Sequence, residues 1–122
     1  MYSAVVQEHF HQPRRVGPLA GATHTGTAGV VGEGPYLVLW LRVDESHRIQ
    51  EAAYQTFGCP AAIASGSMLA ELVEGKSVSE ALLLSEESIV ESLGGLPEGK
   101  DHCPRLAVHA LKKALSTFLE EK

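Results

Sequence analysis

Hydrophobic positions change their period once along this chain. From Tyr36 to Val43 they alternate by two, with Leu37, Leu39, Leu41 and Val43 on one side and Tyr36, Val38, Trp40 and Arg42 on the other. Both sides are largely apolar, which predicts a central strand. Thr25 to Val31 is small and β-branched and predicts a first strand, with Gly32-Glu33-Gly34-Pro35 as the turn between the two. Ile49 to Phe57 predicts a third, with Glu51, Ala53, Gln55 and Phe57 alternating against Ala52, Tyr54 and Thr56. The short connections predict an antiparallel meander. Ahead of it, residues 1–11 read as a short amphipathic helix, with Val5, Val6, His9 and Phe10 on its apolar side and Pro13 ending it.

Beyond Gly58 the period becomes helical. Pro60–Val73 carries Ala62, Ile63, Leu69, Leu72 and Val73, and Gly75 stands where a C′ glycine belongs. Ser77-Val78-Ser79-Glu80 is a capping box that opens a second helix. Ser85-Glu86-Glu87 opens a third, closed by Gly94-Gly95. The last helix, from Pro104 to about Glu120, has Ala107, Ala110, Leu111, Ala114, Leu115 and Phe118 in one stripe. Strands first and helices after them predict an α+β domain spanning 1–122: a three-stranded antiparallel sheet over about 25–57, with an N-terminal helix and C-terminal helices on one face.

Composition narrows the function. The chain has 122 residues, 44% of them hydrophobic, enough for one domain with a core. The net charge is −5, and basic residues pair up only at Arg14-Arg15 and Lys112-Lys113, which argues against nucleic acid as a partner. No apolar run has the length of a membrane span, and the N-terminal residues lack a signal-peptide pattern. Two cysteines without a signal point to a reducing cytoplasm and to metal or thiol chemistry, with a disulfide the weaker alternative.

The candidate chemistry sits at those cysteines. Cys59 and Cys103 are each followed by proline, and proline suits the first helical position. This spacing predicts both cysteines at N-caps, where helix partial charge favours a thiolate. His102 directly precedes Cys103. Two thiolates and an imidazole make three quarters of a tetrahedral metal site. The bland alternative is a pair of buried apolar cysteines. His9, His11, His24, His47 and His109 have no metal-ligand spacing and are expected at the surface.

These segments resemble the IscU/NifU N-terminal family of iron–sulfur cluster assembly scaffolds. The likeness runs through Gln12-Pro13-Arg14-Arg15-Val16-Gly17, Gly29-Val30-Val31-Gly32, Phe57-Gly58-Cys59-Pro60-Ala61-Ala62-Ile63-Ala64-Ser65, Gly75-Lys76-Ser77, Leu96-Pro97 and His102-Cys103. It implies the same sheet-and-helix fold. It also implies a scaffold or carrier rather than an enzyme, with Cys59, His102 and Cys103 holding iron or a [2Fe–2S] cluster. One departure is chemical. Where the family has Gly-x-Pro-x-Cys-Gly-Asp, this chain has Gly32-Glu33-Gly34-Pro35, which places Glu33 in the position of a ligand cysteine and Pro35 in that of the aspartate; a solvated turn carboxylate is the stronger alternative for Glu33, with a ligand oxygen the weaker. A cluster takes four ligands, mostly thiolates, whereas zinc accepts a mixed cysteine, histidine and carboxylate set.

The implied partners are a cysteine desulfurase and recipient apo iron–sulfur proteins. Leu96-Pro97-Glu98-Gly99-Lys100 replaces the family's Leu-Pro-Pro-Val-Lys, which argues against handover through an Hsp70-type chaperone. Two other readings stay open here. One is a sulfur acceptor with a persulfide on a cysteine. The other is a degenerate paralogue acting as a zinc-stabilised adaptor.

Overall fold

A computed structural model describes residues 3–11, 16–30, 34–57, 60–96 and 102–116, with the side chains of Phe10, Pro60 and His102 excepted. Its elements are α1 (Ala4–His11), β1 (His24–Gly29), β2 (Tyr36–Val43), β3 (Ile49–Phe57), α2 (Pro60–Val73), α3 (Val78–Ala81), α4 (Glu86–Ser92) and α5 (His102–Ala114). The sheet order is β1-β2-β3, antiparallel throughout, so the predicted meander and the central place of β2 both hold. The inward row of β2, Leu37, Leu39 and Leu41, is buried against α2 and α5. Its other row, Tyr36, Val38 and Trp40, is only half-buried, which fits helices confined to one face.

β3 departs from simple alternation. Arg42 pairs with Glu51 but Val43 pairs with Ile49, so Gln50 is an extra residue, a bulge. The bulge lets Ile49 share the buried face with Ala52 and Tyr54, although strict alternation would set it opposite. The hairpin before the bulge is fixed by Asp44. Its carboxylate accepts the backbone N–H groups of Ser46 at 2.8 Å and Arg48 at 3.0 Å and the Gln50 amide at 2.6 Å. The Arg48 bond is the main reason that the Asp44 carboxyl sits below its ordinary value.

As an edge strand, β3 would present unpaired backbone groups, and three neighbours meet them. The Gly17 N–H donates to the Tyr54 carbonyl at 2.7 Å. The Glu74 carboxylate accepts the Ala52 N–H at 3.1 Å. Ile49 exchanges bonds with the α2–α3 turn, donating to the Lys76 carbonyl and accepting from the Gly75 N–H, each at 2.8 Å. Gly75 itself has φ +85°, the left-handed conformation expected of a residue that ends a helix.

α2 is buried on most of its surface because Ala61, Ala62, Ala64, Ser65, Gly66, Ser67 and Ala70 are small enough to let the sheet, α1 and α5 approach together. Both predicted helix starts are present. Ser77 and Glu80 form a reciprocal capping box at α3, and Ser85 forms one at α4 with Ser88 as its partner. α5 begins at His102, two residues before the predicted start at Pro104. Proline does not fix the first position here, because no N–H in a first turn has an intrahelical acceptor and the ring is tolerated anywhere in it. Residues 117–122, which include the predicted end of this helix, lie outside the described residues.

α1 is held by polar contacts as well as by Val6, which is fully buried. The Ser3 hydroxyl donates to the Leu93 carbonyl at the end of α4. His9 is 3% exposed, which corrects the surface placement expected from sequence. Its Nδ1 lies 2.8 Å from the Ser67 hydroxyl and its Nε2 lies 3.5 Å from a Glu71 oxygen, both on α2. The sequence expectation considered metal spacing alone and missed that an imidazole on an apolar helix face can be satisfied by a neighbouring hydroxyl.

Two predictions come from this packing. A Cβ added at Gly26 would run into the Ala110 carbonyl and the Ala114 backbone of α5, so Gly26→Ala should cost about 1–3 kcal/mol, read from urea unfolding midpoints. The Tyr54 hydroxyl is buried beside Ser67 without a well-formed hydrogen bond, and burial pushes its ionisation up to about 12. The folded chain therefore holds that proton where the unfolded chain, with the ordinary value of 10.0, has released it. The contribution is complete below pH 10, is lost as pH rises from 10 to about 12, and amounts to about 1.4 kcal/mol per pH unit. Tyr54→Phe should flatten this alkaline loss while leaving stability at pH 7 equal or higher, which a pH series of thermal melts would show.

Candidate metal centre

The end of the molecule at which α2 and α5 begin carries the candidate site. Ala61 and Ala62 from the first turn of α2 and Cys103 from the first turn of α5 form one buried cluster, with Leu96 packed against it. Two helix starts therefore meet, and each directs partial positive charge to this end. The β1–β2 connection reaches the same end. Pro35, at its β2 side, lines an open cleft together with Arg105, Leu106 and His109 from the first turns of α5. The three sequence segments singled out for ligands are thus attached to described elements that share one end of the fold.

Of the four candidate ligands, only the Cys103 side chain is described. It is 1% exposed and not part of a disulfide. Its position corrects one expectation: Cys103 is the second residue of α5 and not an N-cap residue. It still lies within the first turn, where the unsatisfied N–H groups cluster. Cys59 and Glu33 lie outside the described residues, as does the His102 side chain, although His102 opens α5. Among the described residues, no three histidine, cysteine, aspartate or glutamate side chains come together as a metal-holding group.

The first turn of α5 is apolar on its buried side, where Cys103 meets α2, and charged on its exposed side. Arg105 Nε lies 3.5 Å from a Glu86 carboxylate oxygen, joining α5 to the first turn of α4. Both side chains are about half exposed, so this pair contributes little to stability. The sequence reading did not select Arg105 or His109. Their i,i+4 spacing, which puts both on one helix face, was the available signal.

Residues 1–122 match the family described as NifU-like N terminal domain. The chain belongs to this family. It is 40% identical over 121 residues to an iron–sulfur cluster assembly scaffold protein IscU of Archaeoglobus fulgidus, covering 99% of this chain and 78% of that one. It is 39% identical over 124 residues to the scaffold protein IscU of Buchnera aphidicola subsp. Schizaphis graminum, covering 99% and 96%. A crystal structure from Fervidobacterium islandicum, described as a putative scaffold for the SUF system, superposes with TM-score 0.73 at 19% identity over 93% of this chain and 96% of that one. A NifU-like N-terminal structure from Brucella abortus gives 0.72 at 18% identity, over 98% and 95%. At those identities the structural likeness supports the fold, and it agrees with the α+β architecture read from the sequence. No helix among the described residues is long and apolar enough to cross a membrane.

With Cys103 only 1% exposed, alkylation by iodoacetamide should be slower in the folded chain than in urea. Quenched time points read by peptide mass spectrometry test this. Equal rates would mean that the first turn of α5 opens freely.

Proposed function

We propose that this chain is an iron–sulfur cluster assembly scaffold. Iron and sulfide are its cargo, held by Cys59, Cys103 and His102, and Glu33 is the fourth donor. The observation that carries this is the meeting of the α2 and α5 starts around Cys103, at the end where the β1–β2 connection also reaches α5. The names of the relatives support the same reading.

The donor set fits a cluster that is held and then released. Thiolates from Cys59 and Cys103 supply the soft ligands that iron–sulfur centres take, and the helix starts lower the cost of the thiolate charge. An imidazole and a carboxylate complete the set with harder, more readily exchanged donors. The buried niche on the α2 side keeps water off the sulfur of Cys103. In this reading the sulfur donor is a cysteine desulfurase, the recipients are apo iron–sulfur proteins, and the working compartment is the cytoplasm. The burial of Cys103 supports a ligand role over that of an open persulfide acceptor.

The deciding measurement is anaerobic reconstitution with iron and sulfide, followed by metal analysis and a visible spectrum. Stoichiometric iron with sulfide-to-iron charge-transfer bands is the expected result. Cys59→Ser and Cys103→Ser should each abolish the bands, and Glu33→Cys should hold the cluster longer than the parent chain. Zinc alone, or no metal, would replace this reading with that of a zinc-stabilised adaptor.

A further inference from the structure

The exposed face of α5 carries one sign of charge. Its exposed residues from 105 to 113 are Arg105, His109, Lys112 and Lys113, and on a helix of 3.6 residues per turn they fall within an arc of about 100°. Helix stability does not ask for all of them. Basic residues in the last turn complement the helix dipole, which accounts for Lys112 and Lys113. Arg105 stands in the first turn, where the dipole opposes a cation. Glu86 meets Arg105 at 3.5 Å, whereas His109, Lys112 and Lys113 enter no ion pair among the described residues.

Beside this face, α4 carries the opposite sign. Glu86, Glu87 and Glu91 flank Val90 around an open cleft of about 370 Å³, and α4 packs against α5. Glu87 and Glu91 are exposed, lie one helical turn apart and enter no ion pair among the described residues. We infer that the α4–α5 face pairs with the same face of a second copy, the basic row of each α5 lying on the acidic row of the other copy's α4. A surface with a positive and a negative half side by side is complementary to itself under a two-fold rotation. The net charge of −5 makes copies repel in most orientations, and it favours the one in which the α5 row faces carboxylates. Each row is used once in each copy, so association closes at two. Size sets the strength. The 13 residues of α5 span about 20 Å, and with the shorter α4 beside it the face covers about 300 Å². That is under half of the about 800 Å² per partner of a stable interface, so the pair is weak and salt-sensitive.

Sedimentation equilibrium of the full chain tests this. At about 1 mM chain and about 20 mM salt, a monomer–dimer equilibrium is expected, with a dissociation constant that rises about tenfold or more at about 500 mM salt. Lys112→Glu with Lys113→Glu should abolish association, and so should Glu87→Lys with Glu91→Lys. A mixture of these two variants should associate again, because each offers the charge that the other lacks. Reversing the exposed Arg42–Glu51 pair on the sheet, as Arg42→Glu with Glu51→Arg, should change nothing. A wild-type chain that stays monomeric at low salt, a dimer indifferent to the α4 and α5 reversals, or a mixture that stays apart would overturn the inference. A monomer whose α5 amide signals shift on addition of poly-L-glutamate would also reject the second copy, and would assign the row to an acidic polypeptide. None of these readouts involves iron, so the scaffold reading stands or falls separately.

Discussion

The close seating of α5 on the sheet is the constraint from which the rest follows. Gly26 lets the backbone of α5 lie against β1, and no side chain can stand between them. With that distance fixed, the stripe of Ala107, Ala110, Leu111 and Ala114 meets the leucine row of β2. The same contact decides where α5 starts, and so where Cys103 stands relative to the first turn of α2. The position of a thiol at one end of the molecule is set by the absence of a side chain near the other end of the same helix.

α2 works by a similar economy of size. Its small residues accept α1, α5 and the sheet at once, and a cost appears at Gly66, where an added Cβ would come 2.5 Å from the Tyr54 ring. The tyrosine fills this space and brings its hydroxyl beside Ser67 without a well-formed bond to it. Nearby, His9 and Ser67 satisfy one another. The interface between α1 and α2 is therefore a mixture of tight apolar contact and short polar links. Such a mixture fixes one arrangement of the helices where alanines alone would allow several.

Much of this was legible before any coordinates. The alternation in β2, the change of period after Gly58, the glycine after α2 and the serines before α3 and α4 are local signals, and each held. The misses share a cause. The bulge at Gln50 depends on how β3 meets the α2–α3 turn, and the burial of His9 depends on Ser67, which is 58 residues away. The start of α5 was misplaced because proline is compatible with several first-turn positions, and the sequence around it does not choose between them. At the candidate centre, Cys103 was found by its neighbours in sequence. Arg105 became visible only when the β1–β2 connection was seen to reach α5.

The sealed side of β3 has a consequence for how copies of this chain can meet. A sheet grows into a filament only if strands can be added at both sides. Here the segment at Gly17, the Glu74 side chain and the Gly75–Lys76 turn occupy one side. Pairing through the opposite strand, β1, would join two molecules and then stop, because each would present its closed side outward. Among the described residues, the fold thus leaves β1 as the more open side for strand addition and opposes growth through β3.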